Sequence, residues 1–358
     1  MQESATVNSV EIKERGKPFV SVVIPAHNEE SFIGPCLDSL LAQDYPVDIF
    51  EILAVDGMSK DNTRNEVEKR IKCRPTVRLL SNPNVYTSFG LNEGVRAARG
   101  EIVVILGAHS KVAQNFISEN VETLARTGAD CVGGLISTIG HTLTAQAIAA
   151  AMSSVFGVGN AYFRYGTHEK EVDTVAFGAY RRDVFNRIGL FDEQLLRNQD
   201  DEFNYRLRSR GGKIYFSPNI RSSYYSRITI RSLWDQYFNY GFWKVMVLVK
   251  HPTQIQLRHL IPSIFILTTL VSLLLCLFAP FGSISCLPLV ALGGTYLFVS
   301  LLFSIWISIR KRLSAFLIIW GCFPVLHFSY GSGVILGFLK EMTRAANQKY
   351  FRKKRKIS

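Results

Sequence analysis

Two uncharged apolar stretches, Ile261–Ala279 and Leu287–Ile309, limit what this chain can fold into more than any other feature. Each is long enough to cross a bilayer core of about 30 Å as a helix. A third stretch, Leu313–Leu339, is interrupted by Gly321, Pro324, His327, Gly331 and Gly333, which leaves a kinked span and a re-entrant segment both open. Ahead of them, Leu233–Val249 is aromatic and amphipathic and reads as an interfacial helix, since Trp and Tyr favour the headgroup level. The chain thus divides into an interfacial region at 231–258, membrane helices at 259–340 and a basic tail at 341–358.

Charge supports that reading. The 358 residues carry a formal net charge of +12, and Arg352, Lys353, Lys354, Arg355 and Lys356 follow directly on the apolar segments. Such placement suits anionic lipid headgroups, and no nucleic-acid-binding motif is present. By the positive-inside rule Arg258 and the run Arg310–Arg312 lie in the cytosol. A full third span would then carry the basic tail outside, so a re-entrant segment with a cytosolic tail is the expectation.

Residues 18–230 mix charged, polar and apolar residues as a soluble domain does, after a polar, flexible N-terminus at 1–17. That N-terminus has no apolar core of a signal peptide, which predicts a cytosolic domain. The six cysteines (Cys36, Cys73, Cys131, Cys276, Cys286 and Cys322) form no CxxC pair and read as scattered buried thiols in a reducing compartment.

Short apolar runs at Phe19–Ile24, Phe50–Val55, Val77–Leu80 and Glu101–Leu106 alternate with helical patterns. The alternation predicts an α/β fold with mainly parallel strands and right-handed crossover helices. In such sheets ligands bind beyond the carboxyl ends of the strands. After the first run stands VSVVIPAHNEE, where Pro25 ends the strand and His27, Asn28 and Glu29 offer a flat ring and polar contacts. After the second stands VDGMSKDNT, where Asp56 leaves the strand end and Gly57 permits a tight turn. Each alone could be a helix-capping turn, because Ser59, Asp61 and Asn62 are capping types; at successive strand ends they form a pattern.

With LNEGVRAARGEIVVIL (91–106), FGAYRRDVFNRIGLFDE (177–193) and QDDEFNYRLRSRGGKI (199–214), these elements resemble the family 2 glycosyltransferases of GT-A fold. The likeness covers about Val20 to Tyr240, extends to HFSYGSG at 327–333, and is nearest the bacterial branch that elongates lipid-linked exopolysaccharide, succinoglycan among them. The resemblance implies that Pro25, Ala26, His27, Glu29 and Asp56 line the nucleotide-sugar pocket. Matching the family's Glu-Asp motif to Gln199-Asp200 makes Asp200 the general base. Gly178, Ala179, Asp201, Glu202 and Arg206 fall on acceptor-side or supporting positions. A carboxylate is needed there because an acceptor hydroxyl must lose its proton as it attacks the anomeric carbon, and crowded carboxylates raise one another's pKa. Single displacement inverts the anomer.

One position departs from the family. Where an Asp-x-Asp motif should hold a divalent metal against the diphosphate, the chain reads Gly107-Ala108-His109-Ser110. His109 could ligate a metal, Mn²⁺ in preference to Mg²⁺, or donate to the diphosphate without one, or cap the following turn. The resemblance implies a nucleotide-sugar donor (a UDP-sugar first), a polyprenyl-linked saccharide acceptor, and a prokaryotic plasma membrane with the catalytic domain cytosolic. A polyprenyl-phosphate monosaccharide synthase is one alternative. The missing aspartates motivate another, a catalytically silent nucleotide-sugar-binding scaffold. A processive synthase would need more membrane segments and a QxxRW element, which Gln236 only loosely echoes.

Overall fold

The computed structural model describes residues 16–72, 74–159, 161–226, 229–278 and 286–355. They form two compact units: the described residues up to Thr138 with Tyr162–Tyr225, and Ile139–Ala161 with those from Ser226 onward. The expected continuous domain at 18–230 is thereby interrupted, since 139–161 packs within the second unit.

The first unit is built on one sheet. Its parallel core comprises β1 (Val20–Ala26), β2 (Phe50–Asp56), β3 (Val77–Ser81) and β4 (Ile102–Ile105). Every residue of β2 is buried, as expected when helices cover both faces of a parallel sheet. On one face lie α1 (Ile33–Leu41), α2 (Thr63–Ile71) and, through Phe116, Ile117 and Val121, the helix α4 (Phe116–Thr127). On the other lie α3 (Thr87–Ala97), α7 (Arg182–Ile188) and α8 (Gln199–Ser209), which contribute Leu91, Val184 and Phe203. Here α5 and α6 are reserved for two helices of the second unit.

The alternating pattern did not reveal the remainder of the sheet. Beyond β4 the order continues through β8 (Ala179–Arg181), β6 (Cys131–Ile139), β9 (Ile214–Tyr225) and β5 (Ser110–Val112), with β7 (Lys170–Glu171) on β9. These pairings are antiparallel where β8 meets β4 and β6, and where β5 and β7 meet β9. Strands of two or three residues carry too little periodicity to be read from sequence.

The second unit is helical: α5 (Leu143–Met152), α6 (Val155–Val158), α9 (Ile230–Lys250), α10 (Leu257–Leu277), α11 (Leu287–Lys311) and α12 (Phe316–Arg355). Three of them, at His259–Leu277, Leu287–Lys311 and Phe316–Arg344, are long and apolar enough to cross a membrane. Helix α9 runs beside α12 in the same direction at close approach. A Cβ on Gly241 would come 2.1 Å from Tyr330 O, and one on Gly333 would come 2.1 Å from Phe238 O.

Two expectations are corrected. The third apolar stretch is not re-entrant: Phe316–Arg355 is one continuous helix with Pro324 inside it. Proline removes a single intrahelical donor, and the surrounding packing on α12 carries the helix past it. The cysteines are not all free thiols either. Cys276, in the last turn of α10, and Cys286, at the start of α11, form a disulfide. Their separation of ten residues carries no motif; the proximity of two helix ends creates the pair. Among the described residues, Cys36, Cys131 and Cys322 are free and buried. Cys73 lies outside the described residues.

Candidate active site

Strands β1 to β4 end on one edge of the sheet, and the loops that follow them interlock. Asn28 N–H donates to Ser59 Oγ at 2.9 Å, and Lys60 N–H donates to Asn28 Oδ1 at 2.9 Å. Glu29 N–H donates to Thr63 Oγ1 at 2.7 Å, and Asn62 N–H to Glu30 Oε2 at 2.9 Å. Asp61 accepts from Glu30 N–H and from both the amide and hydroxyl of Thr63. Burial raises the Asp61 carboxyl, but these hydrogen bonds outweigh it and hold the group below its ordinary range. The two motifs read separately in the sequence are thus one bonded structure.

Within it, Pro25 and Ala26 are the last residues of β1, and Ala26 pairs with Asp56. The His27 ring is fixed, because Nδ1–H donates to Gly57 O at 2.6 Å. A Cβ on Gly57 would lie 2.7 Å from Val85 O and 3.4 Å from the Cβ of His27, so only glycine fits where these loops meet. Asp56 is buried, accepts Ser59 N–H at 3.2 Å and pairs with Arg64 at 3.0 Å. Asn28, Met58, Val85, Phe177 and Asn198 all adopt left-handed backbone, with φ of 56°, 60°, 68°, 53° and 61°. For β-branched Val85 this is a costly conformation, and such strain concentrates at functional sites. Pattern reading has no signal for it.

His109 follows β4. Its Nδ1 lies 3.2 Å from Glu29 Oε1, and its ring stands edge-on to Tyr224 at 4.9 Å. A carboxylate oxygen only accepts, so Nδ1 carries a proton, and in the neutral imidazole Nε2 presents a lone pair. A carboxylate behind an imidazole is the usual support of a metal-ligating histidine. A Cβ on Gly107 would lie 3.2 Å from the Phe177 ring and 3.8 Å from His109 Nε2. Among the described residues no three His, Cys, Asp or Glu side chains group to hold a cation by themselves. His109 Nε2 is thus a single donor, and any divalent cation there would take most of its shell from a diphosphate and water. Beneath this turn, burial pushes the Cys36 thiol up to about 12, which leaves it unreactive.

The other wall comes from β8 and α8. Gly178 O accepts Ile105 N–H at 2.9 Å, and Ala179 pairs with Val104, which brings Phe177 and Gly178 beside the end of β4. Buried Tyr180 donates to Asn204 Oδ1 at 2.8 Å and ties β8 to α8. Burial first, then the neighbouring Cys131 and Asp200, push this phenol well above its ordinary range, so it stays a donor. Asp200 is exposed in the first turn of α8, where Oδ1 accepts Asp201 N–H at 2.9 Å. Glu202 is buried and forms a two-pronged ion pair with Arg206 at 2.7 and 3.0 Å. Arg206 also donates to Ile188 O and Leu190 O. Asn92 clamps the same segment, accepting Phe191 N–H and donating to Phe191 O, both at 2.9 Å. Glu202, Arg206 and Asn92 thus hold the loop ahead of α8.

The profile of Glycosyl transferase family 2 matches residues 21–189. Succinoglycan biosynthesis protein ExoA of Rhizobium meliloti (strain 1021) is 30% identical over 244 residues, which cover 67% of this chain and 73% of ExoA. The chain belongs to glycosyl transferase family 2. This family 2 member is also similar to a Methanococcus voltae enzyme, dolichyl N-acetyl-alpha-D-glucosaminyl phosphate 3-beta-D-2,3-diacetamido-2,3-dideoxy-beta-D-glucuronosyltransferase. The two are 29% identical over 334 residues, 91% of this chain and 98% of the relative. Among solved structures, the mannosyltransferase PcManGT from Pyrobaculum calidifontis, in complex with GDP-Man and Mn²⁺, shares the fold. Its TM-score is 0.61 at 18% identity, covering 88% of this chain and 94% of that one. The protein is a glycosyltransferase of GT-A fold.

Proposed function

We propose that this glycosyltransferase moves a sugar, with inversion, from a nucleotide-sugar to a polyprenyl-linked saccharide at the cytosolic face of a membrane. The observation that carries the reading is the sorting of three adjacent acids. Glu202 is buried in its pair with Arg206, Asp201 is half-buried, and Asp200 is exposed in the first turn of α8. Asp200 accepts the proton of the acceptor hydroxyl as its oxygen attacks the anomeric carbon. The bond from that carbon to the diphosphate oxygen breaks, and the nucleotide diphosphate leaves with the electron pair. The interlocked loops carrying His27 and Asp56 orient the nucleoside, while Glu29 holds His109 toward the diphosphate. A divalent cation at His109 Nε2, when bound, would neutralise charge on that leaving group.

The Methanococcus voltae relative is named for a dolichyl-linked sugar phosphate acceptor, which supports a lipid-linked saccharide over bare polyprenyl phosphate. The apolar helices would bring the enzyme to such an acceptor. The test is a donor screen on membrane fractions with lipid extract, reading labelled lipid product. Label appearing as free sugar or on protein, with none in lipid, would overturn the acceptor assignment.

A further inference from the structure

From Cys131 to Phe163 the chain contains no Asp, Glu, Lys or Arg. The centre of this stretch, Ile139–Ala161, belongs to the helical second unit although catalytic-unit sequence flanks it on both sides. Helix α5 buries Ala147, Ile148, Ala151 and Met152 in one cluster with Ile307 of α11 and Ile319 of α12. Helix α6 then carries Phe156 further along the same two helices. Its ring stacks on Phe303 at 5.0 Å, meets Phe323 edge-on at 4.8 Å, and lies 6.0 Å from Tyr296.

Depth follows from helix geometry. At 1.5 Å per residue, Phe303 and Tyr296 stand about 12 and 22 Å back from the basic end of α11 at Lys311. In a hydrocarbon core of about 30 Å, Phe156 then lies well inside the apolar zone. A broken helix survives there only if its backbone polar groups are satisfied within the protein. At this break side chains bond four of them. Ser154 Oγ accepts Gly157 N–H at 3.0 Å and donates to Ala151 O at 2.8 Å, while Ser153 Oγ donates to Ala149 O at 2.8 Å. His327 Nε2–H donates to Phe156 O at 2.8 Å, and its Nδ1 accepts the Tyr296 hydroxyl at 2.9 Å. One ring nitrogen donates and the other accepts, the pattern of a neutral imidazole. Beside Phe156, Val155 is 56% exposed; on α11 at the same level Phe298 is 62% exposed.

We propose that Ile139–Ala161 is a re-entrant membrane element whose outer face, with Val155 foremost, meets lipid acyl chains. The assignment rests on the membrane placement of α11 in the proposed function. From α12, His327 holds the Phe156 carbonyl.

The test is collision accessibility of a nitroxide in the full chain, reconstituted in nanodiscs, with Cys73→Ser as background. Labels go at V155C, at F298C as the lipid reference, and at E68C as the water reference on exposed α2. Val155 is exposed, so cysteine is tolerated there. Oxygen should be favoured over a water-soluble nickel chelate at V155C to the same degree as at F298C, and several-fold more than at E68C. A V155C label that matches E68C while F298C reads lipid overturns the re-entrant element and leaves the membrane reading intact. Water-like values at both V155C and F298C overturn the membrane reading, and this proposal with it.

Discussion

Asp56 and Asp200 are the two carboxylates given roles in the proposed function, and their surroundings suit them to different work. Asp56 is buried and already paired with Arg64, which suits it to act as a fixed acceptor. Asp200 is exposed on the first turn of α8, where a hydroxyl group arriving from solvent can reach it. Asp200→Asn should therefore cut turnover by about 10²- to 10⁴-fold with donor affinity nearly unchanged, since the amide keeps the shape but takes no proton. Asp56→Ala should do the reverse and raise the dissociation constant of the free nucleotide diphosphate more than it lowers bound-state turnover. Calorimetry and single-turnover assays separate the two, and wild-type turnover in the Asp200 variant would move the base to Asp201. His109 makes a separate prediction. Chelation should lower activity, Mn²⁺ should restore it better than Mg²⁺, and His109→Asp should shift preference toward Mg²⁺. Full activity in chelator would instead assign His109 to direct hydrogen bonding with the diphosphate.

At the scale of elements, what was legible tracks how local the signal is. The four parallel strands and their helices were readable because each apolar run and each helical period lies within one stretch of sequence. β5, β7 and β8 were not, because their existence depends on pairing with β4 and β9 rather than on their own two or three residues. The site divides the same way. His27, Asp56 and Asp200 sit in short motifs, whereas Tyr224 reaches His109, and Phe177 reaches Gly107, only through the folded sheet. Glu202 and Arg206 stood near Asp200 in sequence, but they pair with each other, and Arg206 donates to Ile188 O and Leu190 O. At the opposite end of the strands, Glu51 shows what holds the sheet. Burial raises its carboxyl, but the Arg99 amide, Arg78, Ser21 and the Arg99 side chain outweigh that and hold it below its ordinary range. A depressed carboxylate contributes stability that is present above its unfolded pKa and lost as pH falls through the folded one. Thermal unfolding should therefore be level near neutral pH and fall on the acid side of the carboxylate range. Glu51→Gln should cost about 1–3 kcal/mol at pH 7 by leaving buried partners poorly satisfied, and should flatten the acid limb. An acid limb unchanged in that variant would assign the sensitivity to other carboxylates.

For the whole molecule, orientation in the membrane can be argued from chemistry that hydropathy does not contain. Cys276 ends α10 and Cys286 begins α11, so their disulfide closes the connection between two helices long enough to span. Disulfides persist in oxidising compartments and are reduced in the cytosol. We therefore propose that the α10–α11 connection lies outside, which would send α10 outward and bring α11 back. Arg310 and Lys311, in the last turn of α11, then fall on the cytosolic side, as the positive-inside rule requires. The two signals are independent, one from redox chemistry and one from charge, and they agree. In intact cells an impermeant maleimide of high mass should leave Cys276 and Cys286 unmodified until an impermeant phosphine reduces them, and should then add two labels. Cys276→Ser with Cys286→Ser should abolish that shift, while buried Cys36, Cys131 and Cys322 stay silent in the folded protein. Labelling that needs permeabilised cells would put this connection in the cytosol and reverse the orientation of both helices. Labelling without reductant would mean that the two thiols are not joined, and charge alone would then carry the topology.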